Sequence, residues 1–354
     1  MKIFKNIYIA FLFLCLNIGI FLFSLYCYCL SGTSNDDTLK TIEIGPGSIS
    51  SIAATLKEEG FIREELVFKL YVRLKDKSNL KAGVYSFSKD MGVAKIVEIL
   101  EEGSTFSNDY IKILFKEGLN MRQMADVIAN NTNNTQDMVY DLLEDKEYLN
   151  KVINDYWFID DSILNDKIYY PLEGYLYPST YYFDSEDVNV ETIFKSMLDE
   201  MGKQLEEYKD VIDDSGYSIH EILTLASIVE LEGISFDDRK KIAGVFYNRL
   251  KKKDTLGSDV TTYYGYKVNI GEVKDKDLNF YVCNDYNTRC LTFKSLPVSA
   301  ICSPSLDAIK AALEPDYTYY YFLADKNRKI YFNHTEKQHI NTKNKLKREG
   351  LWWE

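Results

Sequence analysis

One stretch decides how the C-terminal part of the chain folds: Ser218-Ile-His-Glu-Ile-Leu-Thr-Leu-Ala-Ser-Ile-Val-Glu-Leu-Glu-Gly233. Ser218 and Glu221 have the spacing of a capping box, and Gly233 is a common type of C-terminal stop. Apolar residues recur between these two signals at helical spacing, at Ile219, Ile222, Leu223, Ala226 and Val229. The stretch therefore predicts a helix with one apolar stripe that packs against a core.

Glu230 falls inside this apolar stripe. A carboxylate at a core-facing position costs stability unless it is hydrogen-bonded, and burial raises the pKa of a carboxyl group. A raised pKa is what a general acid needs near neutral pH. Glu221 and Glu232 project outside the stripe, where we expect solvated side chains. Two interpretations of Glu230 stay open here, a catalytic acid or a structural glutamate paired with Arg239 or Arg249.

The N-terminal 30 residues carry the strongest hydropathy signal. No charged residue occurs from Ile7 to Leu30, and about 24 helical residues at ~1.5 Å each span a hydrocarbon core. No cleavage site of the A-x-A type follows, which favours a retained anchor over a signal peptide. Lysines precede the span and aspartates follow it, so the positive-inside rule predicts a cytoplasmic N-terminus. We expect a single-pass protein of the cell membrane, with a cytoplasmic tail (1–6), a transmembrane helix (7–30) and an extracytoplasmic remainder.

The extracytoplasmic part is expected to contain a linker and two domains. After the polar linker 31–40, the pattern predicts a strand near Ile42–Ile44, two amphipathic helices and a second strand at Gly83–Phe87. This order is typical of a LysM-like subdomain, which we expect over residues 41–106. Residues 107–354 combine helices with β-rich runs such as Tyr319–Leu323, which predicts an α+β fold with a mixed α/β catalytic domain.

Composition argues against several classes of function. Asp and Glu total 54 against 42 Lys and Arg, a net charge of −12, so a nucleic-acid binder is not expected. The three histidines form no metal-ligand pattern, and no serine-hydrolase or nucleotide-binding motif occurs. We therefore predict no metal and no cofactor. Three cysteines lie beyond the apolar span, Cys283, Cys290 and Cys302, so at most one bridge forms within the chain, for example between the first two.

Several blocks of this sequence resemble one family. Leu225-Ala-Ser-Ile-Val-Glu-Leu-Glu232 resembles the signature helix of the YceG/MltG endolytic transglycosylases, and Lys81–Phe87 is similar to the LysM-like subdomain of that family. The similarity covers nearly the whole chain. Further blocks agree in the same order: Leu172–Pro178, Val245–Leu250, Ser258-Asp259, Tyr286–Thr288, Leu296-Pro297, Ser303-Pro304, and Phe332-Asn333 with His339.

The resemblance implies a reaction and a set of site residues. Such enzymes cleave the β-1,4 bond between N-acetylmuramic acid and N-acetylglucosamine in nascent glycan strands and leave 1,6-anhydro-muramic ends. One glutamate, matched here by Glu230, first protonates the leaving oxygen and then accepts the proton of the muramic C6 hydroxyl. Peptidoglycan strands are the implied substrate, and cell-wall synthases are candidate partners. By resemblance, the substrate cleft includes Glu173, Asp259, Tyr286, Asn287 and Thr288.

The sequence also departs from the family pattern. The family's Leu-Gln-Ser/Thr-Asp-Pro-Thr is Leu256–Thr261 here, with Gly257 in place of the glutamine and Val260 in place of the proline. Ser299 and Ser303 replace a glycine and an asparagine. The loss of the glutamine removes an amide expected to line the cleft.

Three readings of the function follow from these observations. An active but divergent enzyme is the first, and a membrane-anchored glycan-binding or scaffold protein with reduced or lost catalysis is the second. A hydrolytic glycosidase is the third. That enzyme needs a second carboxylate at a defined separation, for which Asp259 and Glu232 are the candidates.

Overall fold

A computed structural model describes residues 2–77, 79–104, 110–274 and 277–352, with side chains from Leu12 onward. Within these residues, helices alternate with three two-stranded sheets, which confirms the predicted α+β class. The chain divides into two units, Met1–Ile111 with Tyr182–Glu186, and Lys112–Tyr181 with Asp187–Glu354. The predicted domain boundary between residues 106 and 107 lies outside the described residues.

The first unit begins with a long apolar helix. Residues Leu12–Leu30 have a mean hydropathy of 2.0 and are almost entirely exposed, so this helix is long and apolar enough to cross a membrane. Membrane anchors and signal sequences share these properties. The elements of this unit are α1 (Lys2–Leu30), β1 (Lys40–Ile44), α2 (Ile49–Glu58), α3 (Glu65–Leu74), β2 (Gly83–Phe87) and α4 (Val93–Glu102).

The strand, helix, helix, strand order predicted for this unit is present. β1 and β2 pair antiparallel, with Ile42 opposite Tyr85. The alternating side chains of these strands and the apolar faces of α2, α3 and α4 meet in one core. Fully buried members of that core include Leu56, Phe68, Tyr85, Ile96 and Leu100.

The remaining elements run from Ile111 to Arg348. β3 pairs with β4, and β5 pairs antiparallel with β6 so that Phe322 lies opposite Phe332. In chain order these elements are β3 (Ile111–Leu114), α5 (Met121–Asn131), α6 (Gln136–Glu144), α7 (Lys146–Asp155), β4 (Thr180–Phe183), α8 (Val190–Glu206), α9 (Lys209–Asp214), α10 (Ile219–Glu232), α11 (Phe236–Lys252), α12 (Asp259–Gly265), α13 (Leu306–Leu313), β5 (Tyr321–Ala324), β6 (Ile330–Asn333) and α14 (Glu336–Arg348).

α10 is the central helix of the second unit and has the predicted bounds. Both bonds of the capping box form, because the Ser218 hydroxyl accepts from the Glu221 amide while the Ser218 amide donates to the Glu221 carboxylate. Every residue from Ile222 to Val229 is buried. The sequence predicted one buried face for this helix, but the helix is buried on more than one side. The reason is that α11 and α13 both pack against α10.

A close backbone approach fixes the position of α11. A Cβ atom added at Gly244 would lie 1.8 Å from the carbonyl oxygen of Asp316. The Asp316 amide also donates to the carbonyl of Lys240 at 2.9 Å. Further along α11, the Arg249 Nε donates to the carbonyl of Tyr320 at 3.2 Å. Only glycine allows the helix to lie this close to the segment that leads into β5.

We predict that Gly244→Ala lowers the free energy of unfolding by about 2–3 kcal/mol, because the methyl group forces backbone apart. Helix propensity alone favours alanine over glycine by about 1 kcal/mol, so the two effects have opposite signs. Urea denaturation checks the prediction. Gly45→Ala is the control, since nothing lies within 4 Å of a Cβ atom there. A stabilised Gly244→Ala protein would contradict the described approach.

Candidate functional site

A cavity of about 560 Å³ in the second unit collects charged side chains from several elements. Glu232 ends α10, Asp259 begins α12, and Arg249 lies near the end of α11. These side chains share the cavity wall with groups from the loop before α13 and from α14. The charged and aromatic residues that line it also include Tyr281, Arg289, His339, Lys343 and Trp352.

Glu232 is partly buried and faces this cavity. Its Oε1 accepts a hydrogen bond from the Ser258 hydroxyl at 2.6 Å. Burial raises the pKa of Glu232 to about 7; the Ser258 hydrogen bond opposes the rise, and the charge of Asp259 adds to it. The expectation of a solvated Glu232 is therefore wrong. The cavity contains a carboxyl group that exchanges a proton near neutral pH.

The side chain that contacts Glu232 is itself held in place. Ser258 is buried, and its amide donates to the hydroxyl of Thr288 at 3.0 Å. Thr261 donates to the carbonyl of Ser258 at 2.7 Å and accepts from the Thr288 amide at 3.1 Å. These bonds fix the orientation in which Ser258 meets the carboxyl group of Glu232.

Glu230 occupies a different environment. Its side chain is 7% exposed and forms an ion pair with Arg239 at 2.6 Å. The other carboxylate oxygen accepts from the amide of Ser305 at 2.9 Å and from the Ser305 hydroxyl. Glu230 does not line the cavity. The ion pair with Arg239 is the one expected if Glu230 is a structural glutamate. The role of Glu230 as catalytic acid stays a prediction.

Three of the five residues assigned to the cleft lie behind the cavity. Glu173 is fully buried, and its Oε2 accepts from the Met121 amide at 3.0 Å and from the Tyr264 hydroxyl at 2.8 Å. Burial raises the pKa of Glu173 to about 7, although these two hydrogen bonds oppose the rise. Tyr286 and Asn287 are also fully buried. Their side chains hold loops together and have no surface for a sugar in this structure.

The other two residues relate to the cavity in different ways. Asp259 lines it and forms an ion pair with Arg289 at 2.5 Å. Thr288 is buried and supports Ser258 from behind. Of the five residues that the resemblance assigned to the cleft, Asp259 lines the cavity, and the other four support the structure around it.

The loop that carries these residues is closed by a disulfide. Cys283 and Cys290 are bonded to each other, and this is the pair that was offered as an example of the single possible bridge. Cys302 is buried and free. The bridge brackets Tyr286, Asn287 and Thr288, so it restricts the same loop that positions Ser258.

Sequence reasoning missed much of the charge in the cavity. Arg249 donates to the carbonyls of Leu256 at 2.6 Å and Tyr320 at 3.2 Å, and burial lowers its pKa. Gly257, where the family pattern has glutamine, lines the cavity beside it with φ +69°. Arg249 and His339 both lie in blocks that resemble the family. That similarity was the available signal for these two residues.

Comparisons with known proteins agree with this fold and site. The crystal structure of a protein from Listeria monocytogenes described as YceG-like superposes with a TM-score of 0.61 at 34% identity, over 87% of this chain and all of that one. The profile of the YceG-like family matches residues 42–345. The chain belongs to the YceG-like family.

Two curated relatives share a name that states an activity. An endolytic murein transglycosylase of Bacillus subtilis is 36% identical over 311 residues, which are 87% of this chain and 85% of the relative. A protein of the same name from Streptococcus pneumoniae is 29% identical, and the match spans 86% of this chain but 58% of that longer protein.

The raised pKa of Glu173 predicts a pH dependence of stability. The folded protein keeps this proton up to about pH 7, whereas an unperturbed glutamate loses it near 4.5. The stabilising effect of protonation is therefore complete below pH 4.5 and is lost as the pH rises through 7. We expect the free energy of unfolding to fall between pH 5 and 8, and Glu173→Gln to remove on the order of 2 kcal/mol of that fall.

Urea denaturation at a series of pH values measures this effect. Glu58→Gln, at an exposed position on α2, is the matched control and should leave the slope unchanged. An unchanged slope in Glu173→Gln would show that Glu173 is ionised in the folded protein across this range.

Proposed function

We propose that this chain is an endolytic murein transglycosylase that cuts peptidoglycan glycan strands, with Glu232 as its general acid and base. One observation carries the assignment of the acid. Glu232 faces the cavity, is hydrogen-bonded to a fixed serine, and has a pKa of about 7. The printed names of the relatives from Bacillus and Streptococcus support the reaction class.

In this mechanism one carboxyl group serves two steps. Protonated Glu232 donates its proton to the glycosidic oxygen, and the bond from that oxygen to C1 of the muramic acid breaks. The C6 hydroxyl of the same sugar then attacks C1, and the Glu232 carboxylate accepts the hydroxyl proton. A 1,6-anhydro ring forms, no water is consumed, and the carboxyl group ends in its starting state.

Other charged groups stabilise this reaction. The transition state resembles an oxocarbenium ion, and the carboxylate of Asp259 supplies negative charge in the same cavity. Its ion pair with Arg289 orients the Asp259 carboxylate. Ser258 fixes one oxygen of Glu232 and leaves the other to face the substrate. In this proposal Glu230 has a structural role, through its contacts with Arg239 and Ser305.

The presence of two carboxyl groups in one cavity favours a second candidate function. In a hydrolase, Glu232 protonates the leaving oxygen while Asp259 acts as nucleophile or activates a water molecule. The two reactions differ by one water in the mass of the product.

Gly257 favours the scaffold alternative, since the amide of the family pattern is missing from the cavity wall.

We predict that the full-length protein converts glycan strands into fragments with anhydro ends, lighter by one water than hydrolytic products, as mass spectrometry of the digest will show. Glu232→Gln should reduce cleavage by about 10²–10⁴-fold because it removes the acid and keeps the shape. Glu230→Gln is the matched variant. It should still cleave strands, but unfold more easily by about 3 kcal/mol because it breaks a buried ion pair.

Several results would overturn parts of this proposal. Cleavage by Glu232→Gln at the wild-type rate, with an inactive but folded Glu230→Gln, would return the catalytic role to Glu230. Only hydrated muramic ends would indicate the hydrolase. Strand binding without any cleavage by the wild-type protein would indicate the scaffold.

We further propose that α1 is a retained anchor and that the following residues are extracytoplasmic. Lys2 and Lys5 precede the apolar span, and Asp36 and Asp37 follow it. Residues 41–106, with their strand, helix, helix, strand order, are proposed to be the LysM-like subdomain, and residues 107–354 the catalytic domain. This topology tethers the chain to the membrane at which new strands emerge, so cell-wall synthases are the implied partner class.

A protease added to intact protoplasts should therefore degrade everything after about residue 31. Immunoblotting with an antibody against the C-terminal region measures the loss, and a cytoplasmic protein in the same sample controls for lysis. Protection of the C-terminal region in unlysed protoplasts would exclude this topology. Release of the intact protein into the medium would indicate a cleaved signal sequence.

A further inference from the structure

One wall of the cavity carries positive charge that the proposed reaction does not use. Arg249 comes from α11, and His339 and Lys343 come from α14, one helical turn apart. These three residues are called the cationic wall below. Neither Arg249 nor Lys343 has a carboxylate within 4.0 Å among residues 12–77, 79–104, 110–274 and 277–352. The chain as a whole has a net charge of −12.

The two cations are held by neutral groups. Arg249 donates to two backbone carbonyls, and its guanidinium lies 5.3 Å from the centre of the Tyr321 ring. The Lys343 ammonium lies 5.0 Å from the centre of the Trp352 ring. Carbonyls and aromatic faces orient a cation without cancelling its charge. The charges of Asp254 and Glu232 also act on Arg249, but neither cation forms an ion pair within the described residues, so both can attract an anion that enters the cavity.

His339 is the third residue of the cationic wall, and the charges of Arg249 and Lys343 both act on its ring. Burial lowers the pKa of His339, and the charges of Arg249 and Lys343 lower it further against the opposing charge of Glu336, which favours the neutral ring. Its Nδ1 is buried and has no hydrogen-bond partner within the described part of the chain. An unpaired buried polar atom costs about 1–3 kcal/mol, and a ligand that supplies a partner recovers this cost.

We propose that the cationic wall binds a free carboxylate of the substituent on muramic acid, and that the enzyme therefore selects strands by that charge. The inference rests on the proposed function. The sugar rings of a glycan strand are neutral, whereas the peptide stems attached to muramic acid carry carboxylates. In a strand without stems, the lactyl group of muramic acid carries a carboxylate instead. Two cations and one neutral ring nitrogen match the charge and hydrogen-bonding capacity of such a group.

Binding to the full-length Glu232→Gln protein in detergent tests this proposal without turnover. The probes are three preparations of one strand length: strands with free stem carboxylates, strands whose stem carboxylates have been converted to amides, and strands from which an amidase has removed the stems. Intrinsic tryptophan fluorescence reports binding, because Trp352 lies on the cavity. We expect amidated strands to bind about tenfold more weakly than free-acid strands. The stem-free strands identify the source of the carboxylate, since they bind tightly only if the lactyl group supplies it.

Variants of α14 connect the effect to the cationic wall. Lys343→Gln should weaken binding of free-acid strands by roughly fivefold and leave binding of amidated strands unchanged. Lys343→Arg should restore the preference. Lys345→Gln is the matched control, because it removes the same charge two residues away, from a side chain that lies 3.9 Å from Glu349 and does not line the cavity.

The outcomes separate this proposal from the proposed function. Equal binding of free-acid and amidated strands would overturn the carboxylate site and leave the transglycosylase assignment intact. An equal loss in Lys343→Gln and Lys345→Gln would attribute the preference to general charge and would also overturn the site. Absence of binding to any strand by the folded protein would overturn both proposals.

Discussion

The buried carboxylate of Glu230 connects three helices of the second unit. It is attached to α10, it pairs with Arg239 of α11, and it accepts from both the amide and the hydroxyl of Ser305, which caps α13. A buried charge is tolerated only when donors surround it, and here the donors come from both neighbouring helices. The position of the end of α10 depends on this contact, and so does every group that this end presents to the cavity.

Glu230 and Glu232 lie two residues apart on one helix, and this spacing explains why their side chains have different surroundings. Side chains at i and i+2 point about 200° apart around the axis. With Glu230 held among the helices, Glu232 is directed to the other side, where Ser258 and the cavity lie. The contact that stabilises the helix packing therefore also directs the Glu232 side chain toward the cavity. The loop around Thr288 completes the arrangement by holding Ser258 from behind.

Much of the fold was predictable because its signals are local. The capping box of Ser218 and the stop at Gly233 gave the bounds of α10, and alternating apolar residues gave β1 and β2. The burial of Glu232 and its position on the cavity were not predictable from periodicity, because that method assumes one buried face. α10 is enclosed by helices that come later in the chain, so a position outside the apolar stripe can be as buried as one inside it. The family blocks identified the right neighbourhood, but they did not distinguish residues that support the cavity, such as Tyr286, from residues that line it.

The enclosure of α10 also affects how related sequences are to be interpreted. Eight successive residues of this helix are buried, so packing alone restricts what they can be. A descendant that lost its chemistry but kept its shape would preserve them. Similarity in the run Leu225–Glu230 therefore indicates common architecture. Under the proposed mechanism, the pair of Glu232 and Ser258 distinguishes a working enzyme from such a descendant, so these two positions are more informative in a survey of genomes than the longer motif that precedes them.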